Sequence, residues 1–323
     1  MTTAAPDLVT LADIRAAAER IRERVIRTPL LPSPELTEVT GAAEVRLKCE
    51  NLQRAGAFKA RGGINFVAQL PPEALRRGVI TYSSGNHAQA VALAARLNGV
   101  RAVVVMPTTA PGVKVEGARR LGAEVVFEGT TSLERKRRAE AIAGAEDLTM
   151  VPPFDDPRII AGQGTVGLEI VEDWSEVDLV LVPVGGGGLA SGVAAAIRAL
   201  RPDARVIGVE PEGGASMRSA LAAGGPVTLD ATGSIADGLL PVRAGDLTWR
   251  HMDALSDGVV TVDDAAIRDA TRFILHRHRV VVEFSGAATV AALRSGAVDC
   301  AGSHVVAVLS GGNLDPSFLS ELT

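Results

Sequence analysis

Apolar positions along this chain recur with two periods that keep alternating. A capping box, Thr10-Leu11-Ala12-Asp13, precedes Ile14, Ala17, Ala18 and Ile21, which share one helical face. Thr28-Pro29-Leu30 ends that helix, and a proline-containing loop is predicted to about residue 40. Residues 44–49 read as a strand, followed by a glycine turn and a helix through Ile64, Val67, Ala68 and Leu70. Pro71-Pro72 stops it. A compact unit follows. Strands are predicted over 79–82, 100–106 and 124–128, and helices over 88–97, 111–121 and 132–143. The turn Ser83-Ser84-Gly85-Asn86-His87 follows the first of those strands.

A second unit resumes after Pro152-Pro153. It leads in with a Gly-rich entry, Ala161-Gly162-Gln163-Gly164-Thr165, and a helix to Trp174. An uninterrupted apolar strand over 178–184 runs into Gly185-Gly186-Gly187-Gly188, and a small-residue helix continues to Leu200. Strands over 205–210, 259–262 and 305–309 and helices over 263–278 and 285–293 continue the alternation, ending at Ser310-Gly311-Gly312-Asn313. Strands alternating with helices predict an α/β fold of parallel sheets joined by right-handed crossovers. The break points predict a small domain over 77–152 set into a larger one, 1–76 with 153–323.

Composition agrees. A chain of 323 residues has room for about two domains, and 47% hydrophobic with 22% charged residues is globular. Aromatics are 3%, and small aliphatics fill the gap, as suits helices layered on buried sheets. A net charge of −5 implies no basic face for nucleic acid. Most of the run Arg135-Lys136-Arg137-Arg138, which lies between Glu134 and Glu140, reads as a solvated helix face. Cys49 and Cys300, the two cysteines, have neither metal-ligand spacing nor a disulfide framework, which suits a reducing compartment. No run approaches 18 apolar residues and the N-terminus lacks a leader pattern, so no membrane partner and a cytoplasmic location are expected.

The chemistry starts at Gly56-Ala57-Phe58-Lys59-Ala60-Arg61-Gly62-Gly63. Only four of the 33 basic residues are lysines (Lys48, Lys59, Lys114 and Lys136). A lysine held in a glycine turn offers what arginine cannot, a primary amine able to form a Schiff base or carry a proton. By itself the octapeptide also fits a surface charge opening a helix. The four glycines after a buried strand make a phosphate cradle, since they let backbone N–H groups approach closely at a helix N-terminus. Gly185, Gly187 and Ala190 also satisfy G-x-G-x-x-A, with Glu210 ending the next strand. That is the fingerprint of an NAD-dependent oxidoreductase. It leaves Lys59 and the two Ser/Asn turns unexplained, whereas one phosphate and one aromatic ring, as in pyridoxal phosphate, would use all of them.

Six stretches in order carry a resemblance over nearly the whole chain. They are Gly56 to Gly62, Ser83-Ser84-Gly85-Asn86-His87-Ala88-Gln89, Val151-Pro152-Pro153-Phe154-Asp155, Ala161 to Thr165, Val182-Pro183-Val184 with the four glycines, and Leu309-Ser310-Gly311-Gly312-Asn313. The chain resembles the serine/threonine dehydratase and serine racemase family of fold-type II (tryptophan synthase β-like) pyridoxal-phosphate enzymes. The resemblance implies two open parallel-sheet domains, the larger binding the cofactor and the smaller the substrate, with the cofactor in the cleft between them. Lys59 is to hold the cofactor as a Schiff base and act as base at Cα, Phe58 to pack on the ring, and Asn86 to bond its 3-hydroxyl. Gly185, Gly186, Gly187 and Gly188 are to hold the phosphate, Ser310 to meet the ring nitrogen, and Gly238 and Glu283 to complete the cofactor site. Ser83, Ser84, Gly85, Asn86 and His87 are to bind the substrate carboxylate, with Arg135 placed toward a distal one.

Ser84 stands where racemase-like members carry the acid/base of the second face, and it also fits a plain carboxylate donor. A Mg2+ or other divalent cation is implied at Glu210 and the Gly214 carbonyl, although Ser216 replaces the usual aspartate. Ala57 replaces a usual serine and Phe284 a usual proline, the latter expected to reshape the loop near the ring. The chain ends about ten residues after Asn313, so no regulatory domain is expected. The implied reaction is α,β-elimination of water from a small β-hydroxy amino acid by a homodimer. A serine-type racemase on the same scaffold, the NAD-dependent oxidoreductase, and a catalytically silent cofactor-binding protein are the alternatives.

Overall fold

The computed structural model describes residues 8–83, 85–110 and 112–322. Ten strands form two sheets: β1 Leu30–Pro32, β2 Glu44–Lys48, β3 Val79–Tyr82, β4 Ala102–Met106, β5 Glu124–Phe127, β6 Thr149–Met150, β7 Leu179–Pro183, β8 Arg205–Pro211, β9 Val259–Val262 and β10 His304–Val308. One sheet runs β1-β2-β10-β7-β8-β9 and the other β5-β4-β3-β6. Every pairing is parallel except β1 with β2. Every residue of β4 and β7 is buried, the mark of parallel strands covered on both faces by helices. The α/β expectation stands, and the strands predicted from period alone fall where the pattern put them.

Two local readings need correction, and one stretch gains detail. The proline-rich loop after residue 28 contains β1 and the helix Pro34–Thr40, which opens on a proline and closes on Gly41 in the left-handed region. The helix before Pro71-Pro72 already ends at Val67, and Pro72 starts the next, Pro72–Arg77. The glycines of the entry at residues 161–165 are themselves helical. They lie inside the helix Pro157–Asp173, and their role is close approach. A Cβ on Gly162 would stand 2.7 Å from the Gly62 Cα, and one on Gly167 would stand 3.0 Å from the Val193 carbonyl.

Gly162 thus seats the helix Lys59–Val67 against Pro157–Asp173, and Gly167 seats the helix Gly188–Leu200. On the other side of Lys59–Val67, Gly63 faces the helix Asn86–Asn98, where a Cβ on Gly63 would stand 3.3 Å from the Ala90 carbonyl. The helix that opens on Lys59 is therefore wedged between the layers of the two sheets. Ala60, Ile64 and Val67 share one apolar cluster with Val91, Ala95 and Val104.

Two further helices, Ser216–Ala223 and Asp246–Leu255, carry no side-chain cap of their own. Their exposed N–H groups are met by carboxylates from elsewhere in the chain. Among the described residues, no helix is long and apolar enough to cross a membrane.

Candidate active site

The lysine turn is built by pairing with the chain's last glycines. Ala57 bridges Gly311, Phe58 N donates to the Ser310 carbonyl at 3.1 Å, and Gly312 N donates to the Gly56 carbonyl at 2.8 Å. That pairing sets Phe58, Lys59 and Ser310 side by side at the C-terminal ends of β2 and β10. The Lys59 Nζ donates to the Pro153 carbonyl at 2.7 Å and lies 5.3 Å from the centre of the Phe58 ring. Burial without an acidic partner disfavours the ammonium and lowers the Lys59 pKa to about 8. An amine so tuned is partly neutral near pH 7, as a nucleophile or base requires.

The four glycines turn from β7 into the helix Gly188–Leu200, with Gly187 as an N-cap at φ +93° that supplies no side-chain acceptor. Side chains here would collide with neighbours: the Gly238 carbonyl at 3.0 Å from a Cβ on Gly185, the Phe154 ring at Gly186, and Thr248 at 2.8 Å at Gly187. The loop is thus closed on the protein side by neighbours, and its first-turn N–H groups are left for an anion. This fits a phosphate. A glycine cradle, an amine of lowered pKa and a serine at a third strand end also fit pyridoxal phosphate as a whole.

Asn86 and Glu283 meet directly. The Asn86 Nδ2 donates to Glu283 Oε1 at 2.5 Å, while Asn86 Oδ1 accepts from Asn313 Nδ2 at 2.8 Å. Burial pushes the Glu283 carboxyl up to about 7 against the opposing pull of Lys114, with Asp237 adding to the rise. Gly238 N donates to Ser285 Oγ at 2.9 Å beside that group. His87 is buried, and its Nε2 bonds the Val151 carbonyl at 3.1 Å. Burial and the Lys59 charge lower its pKa to about 3. It is a neutral fixture, not a proton shuttle. Ser83 Oγ accepts from Gly85 N at 3.2 Å, which shapes the turn. Ser84 lies outside the described residues.

Arg135 is not brought to that turn by its bonds. Its Nη atoms donate to the Thr130 carbonyl (3.1 Å) and Ser132 Oγ (3.0 Å), both at the start of its own helix. Unlike the solvated face expected of the basic run, Arg135 is buried and its Nε has no acceptor among the described residues.

The expected cation site needs correction. Glu210 is fully buried, and its two oxygens accept from Met217 N (2.8 Å) and Arg218 N (2.9 Å), capping the helix Ser216–Ala223. Gly214 precedes that helix in a single 3-10 turn. Among the described residues, no group of three or more His, Cys, Asp or Glu could hold a metal ion. The same bonds withdraw the acid that a dinucleotide ribose would need. Replacing Glu210 with alanine is expected to cost about 1–2 kcal/mol, the worth of a lost cap, read as a lower urea midpoint. Phe284 likewise serves the core, edge-on to Phe318 at 5.2 Å.

Sequence reasoning missed several members of the site. The Pro153 carbonyl, Asn313 and Asp155 all lie in stretches already singled out. Lys114 does not, although its ammonium pairs with Asp237 and lies 3.5 Å from where a Gly85 Cβ would be. The scarcity of lysine was the available signal. Lys48 and Lys114 are both buried, whereas Lys136 is exposed.

Comparison with known proteins follows the same lines. The family model described as "Pyridoxal-phosphate dependent enzyme" matches residues 21–311. The chain is 44% identical to an L-threonine ammonia-lyase of Thermotoga maritima, over 98% of this chain and 78% of the relative. It is 40% identical to an L-threo-3-hydroxyaspartate ammonia-lyase of a Pseudomonas species, over 94% and 95%. The solved structure of maize serine racemase superposes with a TM-score of 0.94 at 38% identity, covering 98% of this chain and 97% of the other.

Proposed function

The chain belongs to the pyridoxal-phosphate dependent enzyme family, and we propose that it eliminates water from a β-hydroxy amino acid such as threonine or serine. The products are a 2-oxo acid and ammonia, through a released enamine that hydrolyses. The observation that carries this reading is Lys59: an amine of lowered pKa, oriented by the Pro153 carbonyl, beside the glycine cradle that Phe154 walls.

When bound, pyridoxal phosphate supplies a carbonyl for amine attachment and a sink for the electron pair left at Cα. The protein supplies the rest. In this reading the amides of the four glycines hold the phosphate, and the Ser83–His87 turn takes the substrate carboxylate. Lys59 moves the proton at Cα. Ser310 is uncharged and cannot hold a full positive charge on a ring nitrogen. That weakens the sink and favours prompt loss of the β-hydroxyl over a long-lived carbanion. Residues 77–152, which contain the whole of the four-stranded sheet, form the substrate-binding domain of this reading. Residues 1–76 with 153–323 form the cofactor domain. A homodimer working in the cytoplasm completes it.

A substrate panel scored for 2-oxo acid and for the opposite enantiomer tests the proposal. Serine and threonine are expected to give 2-oxo acid, and enantiomer alone would overturn the elimination reading in favour of a racemase. The panel includes 3-hydroxyaspartate, because the Arg135 Nη atoms are bonded to neutral oxygens. Ser84→Ala is expected to lose the enantiomer and keep 2-oxo acid. If both activities survive unchanged, Ser84 is not the base of the second face.

A further inference from the structure

We propose that Asp155 is a positioning residue that fastens the glycine cradle to the segment orienting Lys59. The inference rests on the reading of that cradle as the cofactor's phosphate site. The helix Asp246–Leu255 starts at Gly245, which has no side chain to cap it. Asp155, far away in sequence, does so. Its Oδ1 accepts from Leu247 N (2.9 Å) and Thr248 N (3.2 Å), and its Oδ2 accepts from Asp246 N (3.1 Å). Gly245 is needed for this, because a Cβ there would run into the Asp155 carboxylate.

The capped turn then grips the cradle. Thr248 Oγ1 donates to the Gly186 carbonyl at 2.6 Å, and the Thr248 carbonyl accepts from Ser191 Oγ of the helix Gly188–Leu200 at 3.1 Å. Within three residues the same chain segment presents the Pro153 carbonyl to Lys59, the Phe154 ring to Gly186 and the Phe154 Cβ and backbone to Gly188, and the Asp155 carboxylate to Thr248. One short stretch therefore sets the spacing between the amine and the anion site. Asp155 is solvent-exposed, so burial is not its contribution. Geometry is.

The test measures cofactor retention by the holoenzyme, not turnover. The dissociation constant for pyridoxal phosphate is followed by absorbance for the wild type, Asp155→Ala, Gly245→Ala, Thr248→Val and the Asp155→Ala/Thr248→Val double variant. Asp155→Ala and Gly245→Ala are each expected to weaken retention roughly tenfold, the size of one lost cap. The double variant is expected to be no weaker than the worse single one, because Asp155 acts through Thr248. Asp155→Asn, which keeps one acceptor oxygen, is expected to recover part of the loss. Lower thermal stability with an unchanged dissociation constant, or additive losses in the double variant, would overturn the inference. A wild type that retains no cofactor would instead overturn the phosphate-site reading.

Discussion

Lys59→Ala is expected to abolish the absorption band of lysine-bound cofactor and to lower turnover by about a thousandfold or more. The band is checked on cofactor-saturated protein before and after borohydride, which should remove it from the wild type. The expectation follows from burial. Lys59 has the Pro153 carbonyl as its partner and, among the described residues, no carboxylate to hold it charged, and its pKa falls to about 8. Lys114 differs in that respect, being paired with Asp237. A reducible band of wild-type intensity in Lys59→Ala would mean that another amine, with Lys114 the nearest in kind, makes the attachment.

Arg61→Met is expected to cost about 3–5 kcal/mol, the usual result of stranding buried charges, and on the order of 10 °C in melting temperature. Arg61 is fully buried two residues after Lys59. Its guanidinium meets Glu50 through Nε and Nη2 at 2.8 Å each, and Glu169 through Nη1 at 2.6 Å and Nη2 at 2.8 Å. Lys48 completes the group, its Nζ donating to Glu169 Oε2 at 2.6 Å. Two cations and two carboxylates balance, so removing one cation leaves a buried net negative charge. Burial pulls the Glu50 carboxyl up, but the charge and hydrogen bonds of Arg61 outweigh it and hold the carboxyl below its ordinary 4.5. The stabilisation by Glu50 is therefore in force above that pH and fades as pH falls toward the folded value. Urea melts at pH 7 and pH 4 should show the difference between Arg61→Met and wild type shrinking in acid. A difference that stays constant would show that lost packing, not stranded charge, sets the cost.

Glu210 shows where reading by pattern goes astray. Its position at a strand end suits a ribose partner or a metal ligand equally well in sequence. The fold gives it to two backbone N–H groups instead. Arg135 is a similar case, since a basic run looks like a solvated face until the helix turns one member of it inward.

By itself the sequence determined whatever depends on neighbours along the chain. The capping box at Thr10 opens the helix Leu11–Ile21 as read. The apolar run ending at four glycines gives a buried strand and an uncapped helix, and the lysine turn gives a helix that begins on Lys59. Period, small residues and turn chemistry are local quantities, and they singled out Lys59 and the four glycines as candidates, to which the family resemblance gave roles. Only the tertiary structure decided which distant groups meet them: the Pro153 carbonyl for Lys59, Asp155 as cap for the helix Asp246–Leu255, and Glu169 for Arg61. It also decided that Gly62 and Gly162 are points of helix contact and not of turning. The reason is physical. A hydrogen bond or a close approach between residues some ninety positions apart depends on how sheets and helices register in space, and no window along the chain contains that register.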